Sequence, residues 1–269
     1  MGKSLNISIV LYNSDFNEIN ELVKLLRGNG CVNEIYLIDN SASESRLFNE
    51  FETKYIFTGK NLGYGSGHNL AIQQSIDTGV KYHLVLNSDI QFQSTVLPAL
   101  LEKMDEDLEI GMIMPKVLNI DGSPQILPKL LPSPFNLLIR VIRPLQHVFK
   151  TKNREYTLEE YYNKELDVPI LSGCFSLFRV DALKDVGLYD EKFFMYFEDF
   201  DLSRRIHSKY KTIYYPEVSI IHAHERGAAK SFRLFKVFVK SAIIYFNKYG
   251  WFFDFERKKI NKSVLKNLK

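Results

Sequence analysis

Three acids within four positions, Glu198, Asp199 and Asp201, follow a run of bulky apolar residues, Phe193-Phe194-Met195-Tyr196-Phe197. Acids are favoured at a helix N-terminus, so capping accounts for one or two of them. The aromatic wall adds something else: it partly desolvates a carboxylate and raises its basicity, which suits a general base acting on a hydroxyl. A further carboxylate, Asp89, closes the segment Leu84-Val85-Leu86-Asn87-Ser88-Asp89. Mg²⁺ or Mn²⁺ in phosphate chemistry is held by one or two carboxylates plus the substrate's own phosphates, so Asp89 could anchor such an ion if a second protein ligand exists. Without that ligand it reads as a cap or turn residue. Ile220-Ile221-His222-Ala223-His224 ends an apolar run with two histidines at i and i+2, on one face of a strand. A metal site and a structural role both remain open for them.

The segment Asn61-Leu62-Gly63-Tyr64-Gly65-Ser66-Gly67-His68-Asn69 carries three glycines that permit positive φ and close backbone approach. Its amides could face a diphosphate at the start of a helix. It is not a Walker loop, because no Gly-Lys-Ser/Thr follows. Nor is it a dinucleotide fingerprint, because it follows the third strand and does not open the first βα turn.

These residues need elements to hold them. Ile7 to Leu11 reads as a buried strand, Asp15 to Arg27 as a helix with apolar residues at Phe16, Ile19, Leu22, Val23 and Leu26, and Glu34 to Asp39 as a second strand. Tyr55 to Thr58 reads as a third strand, Asn69 to Thr78 as a helix and Tyr82 to Leu86 as a fourth strand. This alternation predicts an α/β fold with a mostly parallel, Rossmann-like central sheet flanked by helices. Ligands in such a sheet bind beyond the strand carboxyl ends, where Tyr12, Asn13, Asp39, Asn40 and Asn87 to Asp89 would line one crevice. Asp39 could accept a hydrogen bond from a ribose or a base edge, or cap the turn at Ser41 to Glu44. Helices are expected at Ser94 to Met104, Asp181 to Val186 and Asp199 to Lys209, and strands at Gly111 to Asn119, Val168 to Val180 and Val218 to His222. With four prolines between Pro124 and Pro134, residues 125–165 read as a long loop with short helices, a lid or a binding loop. Ser231 to Lys248 reads as a helix, so the expected division is a catalytic unit at 1–230 and a helical C-terminal extension at 231–269.

The chain has 269 residues, 45% hydrophobic and 25% charged, with 15 Tyr and 20 Phe. That composition suits a large folded core and argues against disorder. The net charge of +3 hides an asymmetry. Residues 226–269 hold twelve Lys or Arg against Asp254 and Glu256, about +10, which leaves about −7 for the rest. A solvated basic helix or contact with an anionic membrane surface would each account for this tail. Cys31 and Cys174 lack metal-type spacing and read as buried thiols of a reducing compartment. No window has the roughly 18 to 20 apolar residues of a spanning helix, so a soluble, cytoplasmic chain is expected, with peripheral contact at the inner face of the plasma membrane through its tail.

Taken in order, Ser8-Ile9-Val10-Leu11-Tyr12-Asn13, Ile38-Asp39-Asn40-Ser41, Asn61 to Asn69, Leu86-Asn87-Ser88-Asp89, Gly173-Cys174, Glu198-Asp199-Phe200-Asp201-Leu202 and His222 resemble glycosyltransferase family 2. The rhamnosyltransferase-like branch that builds bacterial surface polysaccharides is the most similar. The resemblance covers roughly residues 5 to 232 and implies a GT-A fold. It also implies a metal-dependent inverting transfer from a nucleoside-diphosphate sugar to a glycan or lipid-linked acceptor, with no nucleic-acid partner. By the family's pattern Tyr12 and Asp39 would contact the nucleoside, and Asn61, Gly63, Gly67, Asn69 and Asn87 would shape the donor pocket. Asp89 matches the last acid of the family's D-x-D motif, whose first acid is replaced here by Asn87. His222 matches the metal-binding histidine, with His224 as its competitor and Gly227 and Ser231 in the loop that follows. Asp199 matches the catalytic base, and Glu198 and Asp201 would orient it or the acceptor. A phosphoryl-transfer enzyme would need the Gly-rich loop in the first βα turn. A non-catalytic nucleotide-sugar or glycan-binding module would not need Asp89, Asp199 and His222 together.

Overall fold

The computed structural model describes residues 2–223 and 231–268. Its strands are β1 (Leu5–Leu11), β2 (Val32–Asp39), β3 (Lys54–Phe57), β4 (Tyr82–Leu86), β5 (Ile90–Phe92), β6 (Ile110–Leu118), β7 (Leu166–Asp167), β8 (Phe175–Arg179) and β9 (Lys211–His222). Among the described residues they form one sheet in the order β3-β2-β1-β4-β8-β6-β9-β5, with β7 paired to β9. The β3-β2-β1-β4 half is parallel, as the alternating pattern predicts. β8 runs antiparallel between β4 and β6, and β5 and β7 run antiparallel to β9, so the sheet as a whole is mixed.

The first helix, α1 (Phe16–Arg27), follows the sequence closely. Asp15 accepts hydrogen bonds from the amides of Asn17 and Glu18, and Ile19, Leu22, Val23 and Leu26 are buried. Capping and a single apolar face therefore agree. The second helix, α2 (Tyr64–Thr78), starts five residues earlier than expected, with Gly65 and Gly67 inside it. Glycine costs a helix interior about 1 kcal/mol relative to alanine. Close packing offsets this: a Cβ on Gly65 would lie 2.8 Å from Tyr189 Cβ, and one on Gly67 2.8 Å from Val10 Cγ2. The strand expected over 168–180 is confined to β8. Residues just before it leave the ladder to bond elsewhere, the Leu171 amide to Ser203 Oγ and the Gly173 amide to Asp199.

α3 (Val96–Glu106) covers the sheet. The proline-rich region folds into three short helices, α4 (Pro134–Val141), α5 (Arg143–Val148) and α6 (Lys150–Thr157). α7 (Val180–Val186) precedes the acidic segment, which becomes α8 (Glu198–His207). Two C-terminal helices follow, α9 (Phe232–Tyr249) and α10 (Phe255–Asn267). They share the core of the rest. Tyr245 and Phe246 of α9 pack with Phe193 and Phe197, and Val264 of α10 joins the cluster of Leu202 and Ile206. Arg204 of α8, 2% exposed, makes a two-pronged ion pair with Asp254 at 2.8 and 2.9 Å. Among the described residues, no helix is long and apolar enough to cross a membrane. Cys31 and Cys174 are buried free thiols.

Candidate active site

The parallel strands end level with one another. Leu11 of β1 is in register with Asp39 of β2, and Ile9 with Leu86 of β4. Tyr12, Asn40 and Asn87 therefore leave the sheet along one rim. Tyr12 is exposed there. Asp39 is buried: one carboxylate oxygen accepts the Ser41 amide at 2.9 Å and the other the Tyr55 hydroxyl at 2.7 Å. The turn-capping role offered by the sequence is thus present.

The glycine-rich segment is bound into the protein more tightly than its sequence suggests. Asn61 Oδ1 accepts the Gly63 amide at 2.9 Å, and the Tyr64 amide donates to the Phe194 carbonyl at 2.9 Å. These two amides, expected to face a diphosphate, are engaged within the protein. Gly63 has φ 90° and ψ 177°, and a Cβ there would lie 2.2 Å from the Phe194 oxygen. Asn40 Nδ2 donates to the Gly63 carbonyl at 3.0 Å. The Asn69 amide clasps the backbone of Tyr189, donating to its carbonyl at 2.9 Å and accepting its N–H at 3.0 Å. Gly63 and Asn69 therefore lock α2 against neighbouring backbone, the segment before α8 included, while Gly67 lets it close on the Val10 side chain.

A chain of close polar contacts crosses the crevice. His222 Nε2 lies 3.3 Å from Asp89 Oδ1 and 3.3 Å from Asn87 Nδ2. Asn87 Oδ1 accepts the Tyr64 hydroxyl at 2.8 Å, and that hydroxyl also reaches the Gly173 carbonyl at 2.7 Å. The Gly173 amide then donates to Asp199 Oδ2 at 3.1 Å. Residues 89, 222 and 199, far apart in the chain, are thus linked through Asn87, Tyr64 and Gly173. Pairing of β5 with β9, which sets Ile90 opposite His222, and the Ala223 amide bonding to the Asp89 carbonyl hold the first two together. Gln125 supports the histidine from the other side, with its Nε2 donating to the His222 carbonyl at 2.9 Å.

The acidic segment is delivered by a strained turn. Tyr196 and Phe197 have φ 69° and φ 68°. Non-glycine residues in sparsely populated backbone regions cost about 1–3 kcal/mol each and persist only where packing over-determines them. Here Phe197 sits among Phe200, Phe238 and Tyr245, and the Met195 carbonyl accepts Ser241 Oγ at 2.8 Å. Burial raises Asp199 above the usual carboxylate range, against lowering by the Gly173 amide, Lys129 and the Phe200 amide. Glu198, 5% exposed, is raised well above it by burial and by the charge of Asp199, and its Oε2 has no hydrogen-bond partner among the described residues. Of the two carboxyls, Glu198 is held the further above its ordinary value, and Asp199 is the more readily ionised.

Asp201 departs from expectation. Fully buried, it bonds Arg205 at 2.9 Å, Lys248 at 2.6 Å and the Tyr249 hydroxyl at 2.7 Å. Its carboxylate fastens α8 to α9 and does not orient Asp199. The physical reason is helical phase, since two residues along a helix turn the side chain about 200° away. Ser231, expected in a site loop, caps α9. His224 and Gly227 lie outside the described residues.

Lys129 was not anticipated. It is buried, donates to the Leu127 carbonyl at 3.0 Å and lies over the Phe200 ring at 5.6 Å. Burial and Arg140 pull its ammonium down to about 7, while Asp199 and Cys174 act the other way. In sequence it is one basic residue within a proline-rich stretch, with no periodic signal.

Among the described residues, no three or more His, Cys, Asp or Glu side chains cluster to hold a metal. The Asp89–His222 pair offers one carboxylate and one imidazole at a common point. A carboxylate with an imidazole suits Mn²⁺ completing its shell with substrate phosphates and water better than it suits Mg²⁺, which prefers oxygen ligands, and does not suit an all-protein cage. Burial lowers the His222 pKa, but hydrogen bonds with Asp89 and Cys174 outweigh it and pull it up to about 9.

The sequence profile of Glycosyl transferase family 2 matches residues 7–187, well over half of the chain. The chain belongs to this family. A curated relative in Mycobacterium tuberculosis, N-acetylglucosaminyl-diphospho-decaprenol L-rhamnosyltransferase, is 32% identical over 188 residues, which cover 63% of this chain and 59% of that protein. The low-salt glycan biosynthesis hexosyltransferase Agl10 of Haloferax volcanii is 28% identical over 208 residues, covering 76% of this chain and 62% of its own length. The family 2 chain thus spans about six-tenths of these relatives. Among solved structures, GalNAc-T7 with UDP, GalNAc and Mn²⁺ superposes with TM-score 0.58 and 16% identity, covering 81% of this chain and 43% of that one. TarS of S. aureus superposes with TM-score 0.58 and 15% identity, covering 97% of this chain and 43% of its own. These likenesses establish the GT-A fold.

Proposed function

We propose that this family 2 chain is an inverting glycosyltransferase acting in surface polysaccharide biosynthesis. It would move a sugar from a nucleoside-diphosphate donor to a hydroxyl of a glycan or lipid-linked acceptor. The observation that carries this reading is the chain of close polar contacts from Asp89 and His222 through Asn87, Tyr64 and Gly173 to Asp199. The rhamnosyltransferase and hexosyltransferase relatives support the same class.

In this reading Asp199 takes the proton of the acceptor hydroxyl as the oxygen attacks the anomeric carbon. The new carbon–oxygen bond forms on the face opposite the diphosphate, which departs with the electron pair of the broken bond. The Gly173 and Phe200 amides fix the Asp199 carboxylate. Its pKa, raised by burial, makes it a stronger base than an exposed aspartate. Glu198 beside it would meet the acceptor's neighbouring oxygens. Tyr64 and Asn87 hold the two halves of the site at a fixed separation, the alignment that lowers a bimolecular barrier. A divalent cation on Asp89 and His222 would supply charge to offset that developing on the diphosphate. Tyr12 and Asp39 would meet the nucleoside, and the segment Asn61 to Asn69 with Asn87 would bound the donor pocket. The catalytic unit is taken as residues 1–230, placed peripherally at the inner face of the plasma membrane.

Incubating the protein with a panel of nucleotide sugars, Mn²⁺ and Mg²⁺ tests this directly. Release of nucleoside diphosphate from at least one donor is expected. Binding of a donor without any release, across acceptors and metals, would favour a binding module instead.

A further inference from the structure

The acidic residues of the C-terminal region are used internally: Asp254 and Glu256 pair with Arg204. The outward faces are left apolar and basic. On α9, Phe232, Phe235, Val239 and Ile243 recur at i, i+3, i+7 and i+11, one helical face. Phe232, Val239 and Ile243 are exposed, opposite the buried Ser241 and Tyr245. They line a shallow groove of about 590 Å³, flanked by Lys236 and Lys240. From Phe232 to Ile243 this face runs about 16 Å along α9.

The strip does not end with the helix. Trp251 lies 5.2 Å from the Phe246 ring, and its Nε1 donates to Asn247 Oδ1, one turn beyond Ile243 on the same side. Beyond it Phe252, Phe253 and Phe255 are 74%, 80% and 76% exposed. On α10, Lys258, Lys259, Lys262 and Lys266 share a face with Phe255, at offsets of 3, 4, 7 and 11, and all four are exposed. Three such aromatics at 252–255 follow an apolar helix face and precede a lysine stripe in the chain. A folded domain ordinarily leaves aromatics so exposed and so close together in the chain only where something covers them.

We propose that this surface docks on an anionic lipid bilayer, with the turn 250–255 inserted at the headgroup level and the α10 lysines against acidic headgroups. Aromatic insertion combined with a basic face is how amphipathic helices hold an interface. Each lysine near an anionic surface adds to the attraction, which salt screens. A second copy of the chain fits less well, because the acids of 231–268, Asp254 and Glu256, pair with Arg204 and leave this surface none to set against its own lysines. The other flank of α9 packs against Phe193, Tyr196, Phe197 and Phe200 around the acidic segment. Docking therefore brings Asp199 close to the bilayer, and the acceptor is then a lipid-borne one, a deduction that rests on the glycosyltransferase reading.

The test is flotation of the full chain with phosphatidylcholine vesicles, with and without phosphatidylglycerol. Wild type is expected to float only with phosphatidylglycerol and to be released by high salt. The pair Phe252→Ser and Phe253→Ser, and separately the triple Lys258→Glu, Lys259→Glu and Lys262→Glu, should each lower the bound fraction at least tenfold. Both should retain the circular dichroism spectrum and donor turnover. A wild type that stays in the aqueous phase, or variants that float as well as wild type, would overturn the proposal. So would a wild-type dimer in light scattering that the phenylalanine pair dissociates without any vesicle binding. Flotation needs no turnover and donor turnover needs no vesicles, so failure of one leaves the other to be judged alone.

Discussion

Gly63→Ala isolates the contact that joins the donor side of the site to the acidic segment. Gly63 occupies φ 90° and ψ 177°, a backbone region open essentially to glycine, where another residue costs about 1–3 kcal/mol. The new Cβ would also lie 2.2 Å from the Phe194 oxygen and 2.9 Å from its carbonyl carbon. Both atoms are backbone, so one segment must retreat by about 1 Å to reach ordinary contact distance. That movement breaks the Tyr64 amide bond to the Phe194 carbonyl, adding about 0.5–1.5 kcal/mol. The sum is about 2–4 kcal/mol, read by urea unfolding. At about 2–4 °C per kcal/mol it lowers Tm by about 5–15 °C. Phe194 stands four residues before Glu198, so the shift reaches the carboxylates, and a 1 Å misplacement costs about a hundredfold in turnover. Gly122→Asn is the control, since Gly122 has φ 79° with nothing within 4 Å of its Cβ position and lies in a turn. The reasoning fails if Gly63→Ala loses less than about 0.5 kcal/mol, the range of an ordinary surface substitution.

Because burial raises Asp199 and only its ionised form can accept a proton, activity should climb with pH through a value above the ordinary carboxylate range. Lys129 favours the ionised form, so Lys129→Met should move this acid limb to higher pH in a kcat/KM profile; a uniformly lower curve with an unmoved limb would make Lys129 merely structural. Arg204→Met strands the buried Asp254 carboxylate and should cost about 3–5 kcal/mol in denaturant unfolding, partly recovered in the double variant with Asp254→Asn. Chelation should stop diphosphate release and added Mn²⁺ or Mg²⁺ restore it. His222→Ala should raise the metal concentration for half-maximal activity at least tenfold, since even supporting groups around a bound metal contribute about 10–100-fold in affinity.

The elements that sequence reasoning located well are those in which local signals agree. Asp15 caps α1, its apolar residues recur at helical spacing, and Gly28 ends it. The apolar runs of β1, β2 and β4 likewise predict a parallel half-sheet whose ends form a rim. Where tertiary packing outweighs propensity the pattern misleads. Gly65 and Gly67 argue against a helix that Tyr189 and Val10 nevertheless hold closed, and the polar sequence of α10 gives no apolar face to recognise. Within the site, the run Glu198 to Asp201 marks a place but does not divide labour. Only three dimensions show that Asp199 faces Gly173 while Asp201 faces Lys248 and Tyr249. Lys129 and Tyr64 reach the site from a proline-rich stretch and a helix start, positions that carry no chemical signature in one dimension.

The central claim is that Asp199 accepts the proton in a transfer whose donor is held elsewhere, near Asp89, His222 and the Asn61 to Asn69 segment. Asp199→Asn keeps the shape of the side chain and removes its basicity. Calorimetric titration of the donor in the presence of Mn²⁺, paired with product formation on the same sample, measures the two functions apart. Donor affinity within about twofold of wild type, with transfer reduced by about 10²–10⁴, is the result predicted for loss of a general base. Transfer at the wild-type rate would contradict the account, as would donor binding that disappears together with it.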